Sequence, residues 1–192
     1  MRRSFVVLAC LLATALQSSA QTSVDLTMKA WSKALGVECV HCHVQDNWTD
    51  ASKPTFDFAR RMSRMLAALN AGPLKDVGEI SCWTCHRGRS IPARLARDTW
   101  EKIRDAHAAE FAGPNRAIAM SVYAASLGVD CSHCHDTDRK LNTKAPKAMV
   151  AKMLPIFEDI PKHFDKAVRA PVTQCYMCHQ GATKPERQPP TP

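Results

Sequence analysis

The residues of this chain that could do chemistry are concentrated in four motifs of the form Cys-x-x-Cys-His. Two thiols at this spacing can form thioethers with the two vinyl groups of one haem, and the adjacent histidine can bind the iron. A single motif could instead be a redox dithiol or half of a zinc site. Four motifs that all end in histidine predict four covalently bound haem c groups. The predicted haem-binding residues are Cys39, Cys42, His43, Cys82, Cys85, His86, Cys131, Cys134, His135, Cys175, Cys178 and His179.

The cysteine count leaves no thiol for a structural disulfide. Eight of the nine cysteines lie in the motifs, and the ninth, Cys10, lies in an N-terminal leader. The leader combines two arginines, an apolar run and a small-residue site ending at Ala20, which is the pattern of a cleaved signal peptide over residues 1–20. We therefore expect a periplasmic or extracellular protein. A retained membrane anchor is the alternative, although the apolar run is short for a span.

The size and charge of the chain limit its function further. Residues 21–192 would serve four haems, so the porphyrins must form much of the apolar interior and the haem-free chain should be largely unfolded. The formal net charge is +8, but the leader removes two arginines and the haem propionates would add about eight negative charges. We therefore predict no nucleic-acid partner. After leader cleavage, no apolar run is long enough to span a membrane.

An internal duplication organises the chain. A pattern of Met, Leu-Gly-Val, an acidic residue and Cys-x-His-Cys-His, which runs from Met28 to His43, recurs with the same spacing from Met120 to His135, 92 positions later. This repeat predicts two pseudo-symmetric dihaem halves. The predicted organisation is a first dihaem repeat at 21–92, a connector helix at 93–113, a second dihaem repeat at 114–185 and a disordered Pro-rich tail at 186–192.

The repeat also predicts the helices that position the motifs. Gly36 and Gly128 are typical of helix C-termini just before the first motif of each half. A second helix should begin near Pro54 and run to about Asn70 with one apolar stripe. Its counterpart should begin between Asn142 and Pro146 and break at Leu154–Pro155. We therefore predict a mainly α multihaem cytochrome c with much irregular structure, in which a helix, a turn and a motif hold each haem.

Methionines on these helices are candidate distal ligands, because a thioether can bind haem iron and raise its potential. Met28 and Met120 each precede the first cysteine of their half by 11 residues. Core packing is the alternative role for each methionine. For the second haem Met62 and Met65 compete. For the fourth haem Met149, Met153 and His163 compete. We predict Met149 over Met153, because Met153 lies beside the expected break at Pro155.

Several stretches of the sequence resemble the tetrahaem cytochrome subunit of photosynthetic reaction centres. They are Phe58 to Asn70 with its Arg-Arg-Met, Cys82 to Gly88, and Cys175 to Pro185 with its His-Gln-Gly-Ala-Thr-Lys-Pro. The resemblance implies a near-linear relay of haems and distal methionines at Met28, Met62 and Met120. In that family a histidine before the second motif can bind the fourth haem, but residues 71–81 contain none. The long N-terminal arm and the insertion between the halves are also missing.

These observations predict an exported electron-transfer protein and not an enzyme. Its partners would be other cytochromes or a membrane electron-transfer complex. The alternatives are a donor subunit bound to a photosynthetic reaction centre, an enzyme with an open or lysine-ligated haem, and a conducting filament that self-associates through haem edges. His41 and His133 lie inside the first and third motifs, and we expect them at the surface or on propionates. A metal site or a contact between subunits is their alternative role.

Overall fold

The computed structural model describes residues 23–106, 116–138, 140–141, 143–164 and 175–191. The predicted leader with Cys10, the end of the connector with His107, and Pro192 lie outside the described residues. Within those ranges the chain is mainly helical and has no strand, apart from an isolated bridge between Val44 and Asn47. This confirms the predicted mainly α fold. No helix in these ranges is both long and apolar enough to cross a membrane.

Eight α-helices follow one another along the described residues. They are α1 (23–35), α2 (Pro54–Ala71), α3 (Cys82–His86), α4 (Arg97–Ala106), α5 (Arg116–Leu127), α6 (Cys131–Cys134), α7 (Ala145–Asp159) and α8 (Tyr176–His179). Two 3₁₀ turns lie at Cys39–His41 and Ile160–His163. Four of these short elements are the haem motifs themselves, so each motif forms a local helical turn.

Helices α1 and α5 end at glycines, as predicted. Gly36 and Gly128 have φ values of 64° and 65°, a left-handed conformation that glycine adopts without steric penalty. The C-terminal turn of α1 is tied to the second motif of its half, because the Gly88 N–H donates to the Ala34 carbonyl at 2.8 Å. In α5 the Gly181 N–H donates to the Ser126 carbonyl at 2.9 Å.

Helix α2 matches its prediction closely. It begins at Pro54, with Lys53 as the N-cap residue, and ends at Ala71. A proline in the first turn is compatible with a helix because that N–H would have no intrahelical partner. The apolar stripe of α2 packs on the turn after α7. The four buried side chains of this cluster are Leu69, Leu74, Ile160 and Phe164, and the half-buried side chains packed against it are Phe58, Met62, Met65, Val77, Ile80, Met153 and Ile156.

The predicted break at Leu154–Pro155 is wrong. Helix α7 continues through Pro155 to Asp159. Proline removes the hydrogen bond to the carbonyl of Ala151, but both Ala151 and Pro155 are exposed, so water can solvate that carbonyl. Ile160, just beyond the helix, is buried in the cluster, and this packing holds the segment after the proline in place.

The connector helix is shorter than predicted at its start. Residues 93–96 are irregular, and α4 begins at Arg97. Asp98 lies in the first turn, where a carboxylate interacts favourably with the positive end of the helix dipole. An ion pair of 2.9 Å between Arg97 and Glu101 also stabilises this turn.

The Pro-rich tail contains no helix or strand over residues 181–191, but it is not free of contacts. The Ser81 hydroxyl donates to the Arg187 carbonyl at 2.6 Å, and the Arg187 Nη2 donates to the Val77 carbonyl at 3.2 Å. Arg187 also lies against Gly78, where a Cβ would collide with the guanidinium. Arg187 thus connects the tail to the first half through two hydrogen bonds.

Candidate haem-binding sites

Three of the four predicted proximal histidines are oriented by a backbone carbonyl. The Nδ1–H groups of His43, His86 and His179 donate to the carbonyls of Trp48 at 2.6 Å, Arg89 at 2.8 Å and Ala182 at 2.9 Å. A carbonyl can only accept a hydrogen bond, so Nδ1 must carry the proton. Each Nε2 then keeps its lone pair, which is the form that binds a metal.

The fourth predicted proximal histidine, His135, lacks this contact. Its Nδ1 is buried and has no hydrogen-bond partner within the described part of the chain. The residues after His135 also differ, because α6 ends there in extended backbone with φ of −120°. After His86 and His179 the chain instead turns through Arg87 and Gln180, at φ of 46° and 47°. Among the described residues, no backbone carbonyl therefore orients the His135 ring as the other three rings are oriented.

Burial also sets the ionisation of these histidines. Desolvation lowers the pKa of His86 and of His179, and the hydrogen bonds to backbone carbonyls oppose it only in part. Since burial penalises the charged imidazolium, both rings are neutral at pH 7. A neutral imidazole is the species that ligates iron.

Burial keeps four of the motif cysteines as thiols. Burial raises the pKa of Cys175 to about 11, and it also raises the pKa of Cys42, Cys82 and Cys134. Catalytic dithiols and zinc ligands need a lowered thiol pKa, so the surroundings of these cysteines do not favour either alternative. Among the described residues, no three His, Cys, Asp or Glu side chains converge to hold a metal ion.

The second and fourth motifs are neighbours in space. Helices α3 and α8 pack together, and the Cα atoms of Cys85 and Cys178 are 4.2 Å apart. The structure of the haem-free chain joins these two cysteines in a disulfide, a contact that the cysteine count did not anticipate. The sequence could not show this contact because 93 residues separate the partners. A disulfide and a thioether to haem use the same sulfur atoms, so they are alternative bonds at this position.

Arg87 strengthens the contact between these motifs. Its Nη2 donates to the Cys178 carbonyl at 2.8 Å, and its Nε lies 3.8 Å from the Glu186 carboxylate. The side chain is only 18% exposed. The sequence assigned no role to Arg87, because this contact joins residues 91 positions apart.

One cavity joins the first and second motifs. It has a volume of about 260 Å³, and its lining includes Cys42 of the first motif together with Cys82 and His86 of the second. Met62 lines the same cavity, whereas Met65 does not. The cavity therefore brings together the two side chains predicted to bind the second iron from opposite sides.

The other predicted distal ligands differ in exposure. Met28 is half-buried on α1, and Met120 on α5 and Met149 on α7 are each 42% exposed. Met153 packs against the apolar cluster. The Nε2 of His163 lies 3.3 Å from an Asp159 carboxylate oxygen, so in this arrangement its metal-binding nitrogen already has a partner.

Two lysines that sequence reasoning missed hold the motifs against the following helices. The Lys53 ammonium donates to the Val40 carbonyl, and the Lys144 ammonium donates to the Ser132 carbonyl at 2.6 Å. Each lysine is the N-cap residue of its helix, α2 or α7. The signal in the sequence was a lysine one or two residues before a proline in both halves. His41 and His133, inside the same two motifs, are exposed as expected.

Comparisons with known proteins show which family the sequence matches. A family model described as "Photosynthetic reaction centre cytochrome C subunit" matches residues 12–130. The photosynthetic reaction center cytochrome c subunit of Thermochromatium tepidum is 38% identical over 56 residues, which are 28% of this chain and 14% of that protein. The same subunit of Rubrivivax gelatinosus is 34% identical over 91 residues, which are 37% of this chain and 25% of that protein. The matches thus span a quarter or less of each relative.

Proposed function

Because the chain belongs to the photosynthetic reaction centre cytochrome c subunit family, we propose that it is an exported tetrahaem cytochrome c that relays single electrons. Proteins of this family are electron-transfer proteins, so the proposal includes no substrate chemistry. Each haem would supply an iron that gains and loses one electron. The protein would attach each haem through two cysteines and bind its iron through His43, His86, His135 or His179.

The observation that carries the proposal is the orientation of the proximal histidines. Three of them direct Nδ1 to a backbone carbonyl within five residues of the ring. This contact fixes the tautomer and the ring plane before any iron binds, which is the outer-shell support that metal-binding histidines use. The neutral rings of His86 and His179 fit the same role.

The contact between α3 and α8 supports a relay that passes between two dihaem halves. The second and fourth attachment segments are adjacent, and Arg87 joins them through the Cys178 carbonyl. We infer that electrons cross from one half to the other at this contact. The hydrogen bond from Gly88 to α1 matches the one from Gly181 to α5. This match supports the division into two halves with the same local architecture.

The distal ligands of the first three haems would be Met28, Met62 and Met120. The shared cavity of Met62 and His86 supports Met62 over Met65. For Met28 and Met120, the support is their equal distance from the first cysteine of each half. Thioether ligation would favour ferrous iron and raise the potentials of these haems.

The physiological partners would be one redox protein that donates an electron and one that accepts it. The accepting partner would be another cytochrome or a membrane electron-transfer complex. A bound donor subunit of a photosynthetic reaction centre is the second candidate, because the two relatives are cytochrome c subunits of such centres. Purification of the native protein with chemical crosslinking would distinguish a permanent complex from a shuttle.

The direct test is a haem count on the exported protein, followed by a spectroscopic redox titration. We expect four covalently bound haems per chain, cleavage after Ala20 and four one-electron transitions. The reduced protein should bind carbon monoxide slowly, because every iron has two protein ligands. A chain with fewer haems, or rapid binding of carbon monoxide by a fraction of the protein, would contradict the proposal.

A further inference from the structure

We propose that Met153, and not Met149, is the distal ligand of the fourth haem. This inference rests on the proposed tetrahaem function. It concerns the site where the family resemblance provides no ligand, because the segment at 71–81 contains no histidine. It also reverses the sequence-based choice of Met149. That choice assumed that α7 breaks at Pro155 and therefore holds Met153 only loosely.

The two lysine contacts fix how the long helices of the two halves correspond. Lys53 caps α2 and donates to a carbonyl of the first motif, and Lys144 caps α7 and donates to a carbonyl of the third motif. The two lysines therefore occupy the same position in the repeat. Met62 follows Lys53 by nine residues, and Met153 follows Lys144 by nine residues.

The apolar cluster supports the same correspondence independently. At a constant spacing of 91 residues, Met62 pairs with Met153, Met65 with Ile156, and Leu69 with Ile160. All six side chains belong to the cluster or pack against it. The equivalent faces of α2 and α7 therefore point into one shared interior, and the register of both helices is the same.

This register separates Met153 from its rivals. Met149 corresponds to Phe58, one turn nearer the start of the helix, and a one-turn shift moves a side chain by about 5 Å along the axis. Exposure alone does not exclude Met149 as a ligand, since the proposed ligand Met120 is equally exposed. His163 lies beyond the end of α7, and its Nε2 faces Asp159.

The pairing also identifies which methionine of α2 is the ligand. Ile156, the counterpart of Met65, has no atom that can bind iron. Only the pair of Met62 and Met153 gives both halves a thioether at the same place. Because Met62 shares a cavity with His86, the repeat assigns Met153 to the iron that His179 binds.

The test compares matched variants of the haem-loaded, exported protein. Met153→Leu and Met149→Leu make the same change one turn apart on α7, and Met62→Leu provides the reference in the other half. We expect the methionine-to-ferric-iron charge-transfer band of the oxidised protein to fall by about a quarter in Met153→Leu and in Met62→Leu, because one of four such ligands is lost. Met149→Leu should leave the band unchanged.

A gain of signal provides the second measurement. Met153→His should create a bis-histidine signal in magnetic resonance of the oxidised protein and lower one midpoint potential, whereas Met149→His should not. A weaker band in Met149→Leu, or an unchanged band in Met153→Leu, would overturn the assignment. A bis-histidine signal in the wild-type protein that disappears in His163→Ala would do so too. A haem count below four would instead refute the proposed function.

Discussion

Single contacts of the histidine rings determine what the motifs can do. A Cys-x-x-Cys-His sequence does not specify which ring nitrogen carries the proton, but a carbonyl beside Nδ1 does. His43, His86 and His179 have such a carbonyl at 2.6–2.9 Å. His135 has none among the described residues, and its Nδ1 is buried. If His135 is the proximal ligand of a third haem, as proposed, its orientation would depend on haem attachment more than that of the other three.

Met28 and Met120 are the proposed distal ligands of the first and third haems. If Met28 and Met120 are equivalent ligands, Met28→Leu or Met120→Leu should leave four haems attached. It should lower one midpoint potential by on the order of 0.1 V, a part of the about 0.8 V range that axial ligation covers. A redox titration of each variant measures the midpoint potentials, and Met65→Leu is the control. Unchanged titration curves for both Met28→Leu and Met120→Leu would refute their assignment as distal ligands.

At the scale of elements, glycine determines where the haem-bearing helices stop. The helices α1 and α5 end at glycines with positive φ, and a Cβ at either position would collide with the carbonyl of the glycine after the second motif of the same half. Each of these two glycines therefore has two functions. It adopts the left-handed turn that ends the helix, and it lets the backbone of the second motif of its half approach closely. Both were needed to bring α1 near the second motif and α5 near the fourth.

These two functions can be separated by a pair of substitutions. Gly181→Ala introduces strain alone, because φ is 84° and no atom lies within 4 Å of the new Cβ. We expect it to destabilise the protein by about 1 kcal/mol. Gly128→Ala adds a collision with the Gly181 backbone, so we expect a loss larger by about 2 kcal/mol. Thermal unfolding of the haem-loaded variants measures the difference, and equal losses would show that the close approach is unimportant.

Helix α7 shows that a local rule can be overridden by packing. Pro155 should end a helix, yet α7 continues to Asp159. The exposed carbonyl of Ala151 can be solvated, and Ile160 is buried in the cluster shared with α2. This continuation keeps Met153 within a complete helix and makes it a credible ligand.

At the scale of the whole molecule, a few long-range contacts join the two halves. Arg87 is the main polar example, with its bond to the Cys178 carbonyl at 2.8 Å. Arg187 adds a second connection from the tail to Val77 and Ser81. These contacts surround the place where α3 and α8 meet, so they maintain the proposed path between the second and fourth haems.

Replacement of Arg87 tests this connection. Arg87→Gln introduces the residue that the repeat has at Gln180, which adopts the same left-handed backbone. We expect a loss of about 1–2 kcal/mol, because the carbonyl of Cys178 loses a charged donor in a half-buried place. Thermal unfolding measures the loss. Arg64→Gln, on the exposed side of α2, should change stability by less than about 0.5 kcal/mol, and an equal effect in both variants would contradict the role of Arg87.

Haem attachment should dominate the stability of the whole chain. Among the described residues only five apolar side chains are buried, namely Ala34, Leu69, Leu74, Ile160 and Phe164. A core of this size cannot offset the conformational entropy of a chain of this length. We expect the haem-free protein, expressed without its leader and kept reduced, to show no cooperative thermal transition by circular dichroism, whereas the haem-loaded protein should show one. A cooperative transition of the haem-free protein would contradict this.

The sequence by itself determined the local structure and predicts the local chemistry. The four motifs, the glycines at the ends of α1 and α5 and the start of α2 at Pro54 follow from residue types at short spacing, because thioether attachment, left-handed caps and N-terminal prolines each depend on a few consecutive residues. The tertiary structure alone decided which distant elements meet. The contacts from Cys85 and Arg87 to Cys178 join residues 93 and 91 positions apart, and the register of α7 depends on burial of Ile160 beside α2. Such contacts depend on how whole helices pack, which no short stretch of sequence specifies.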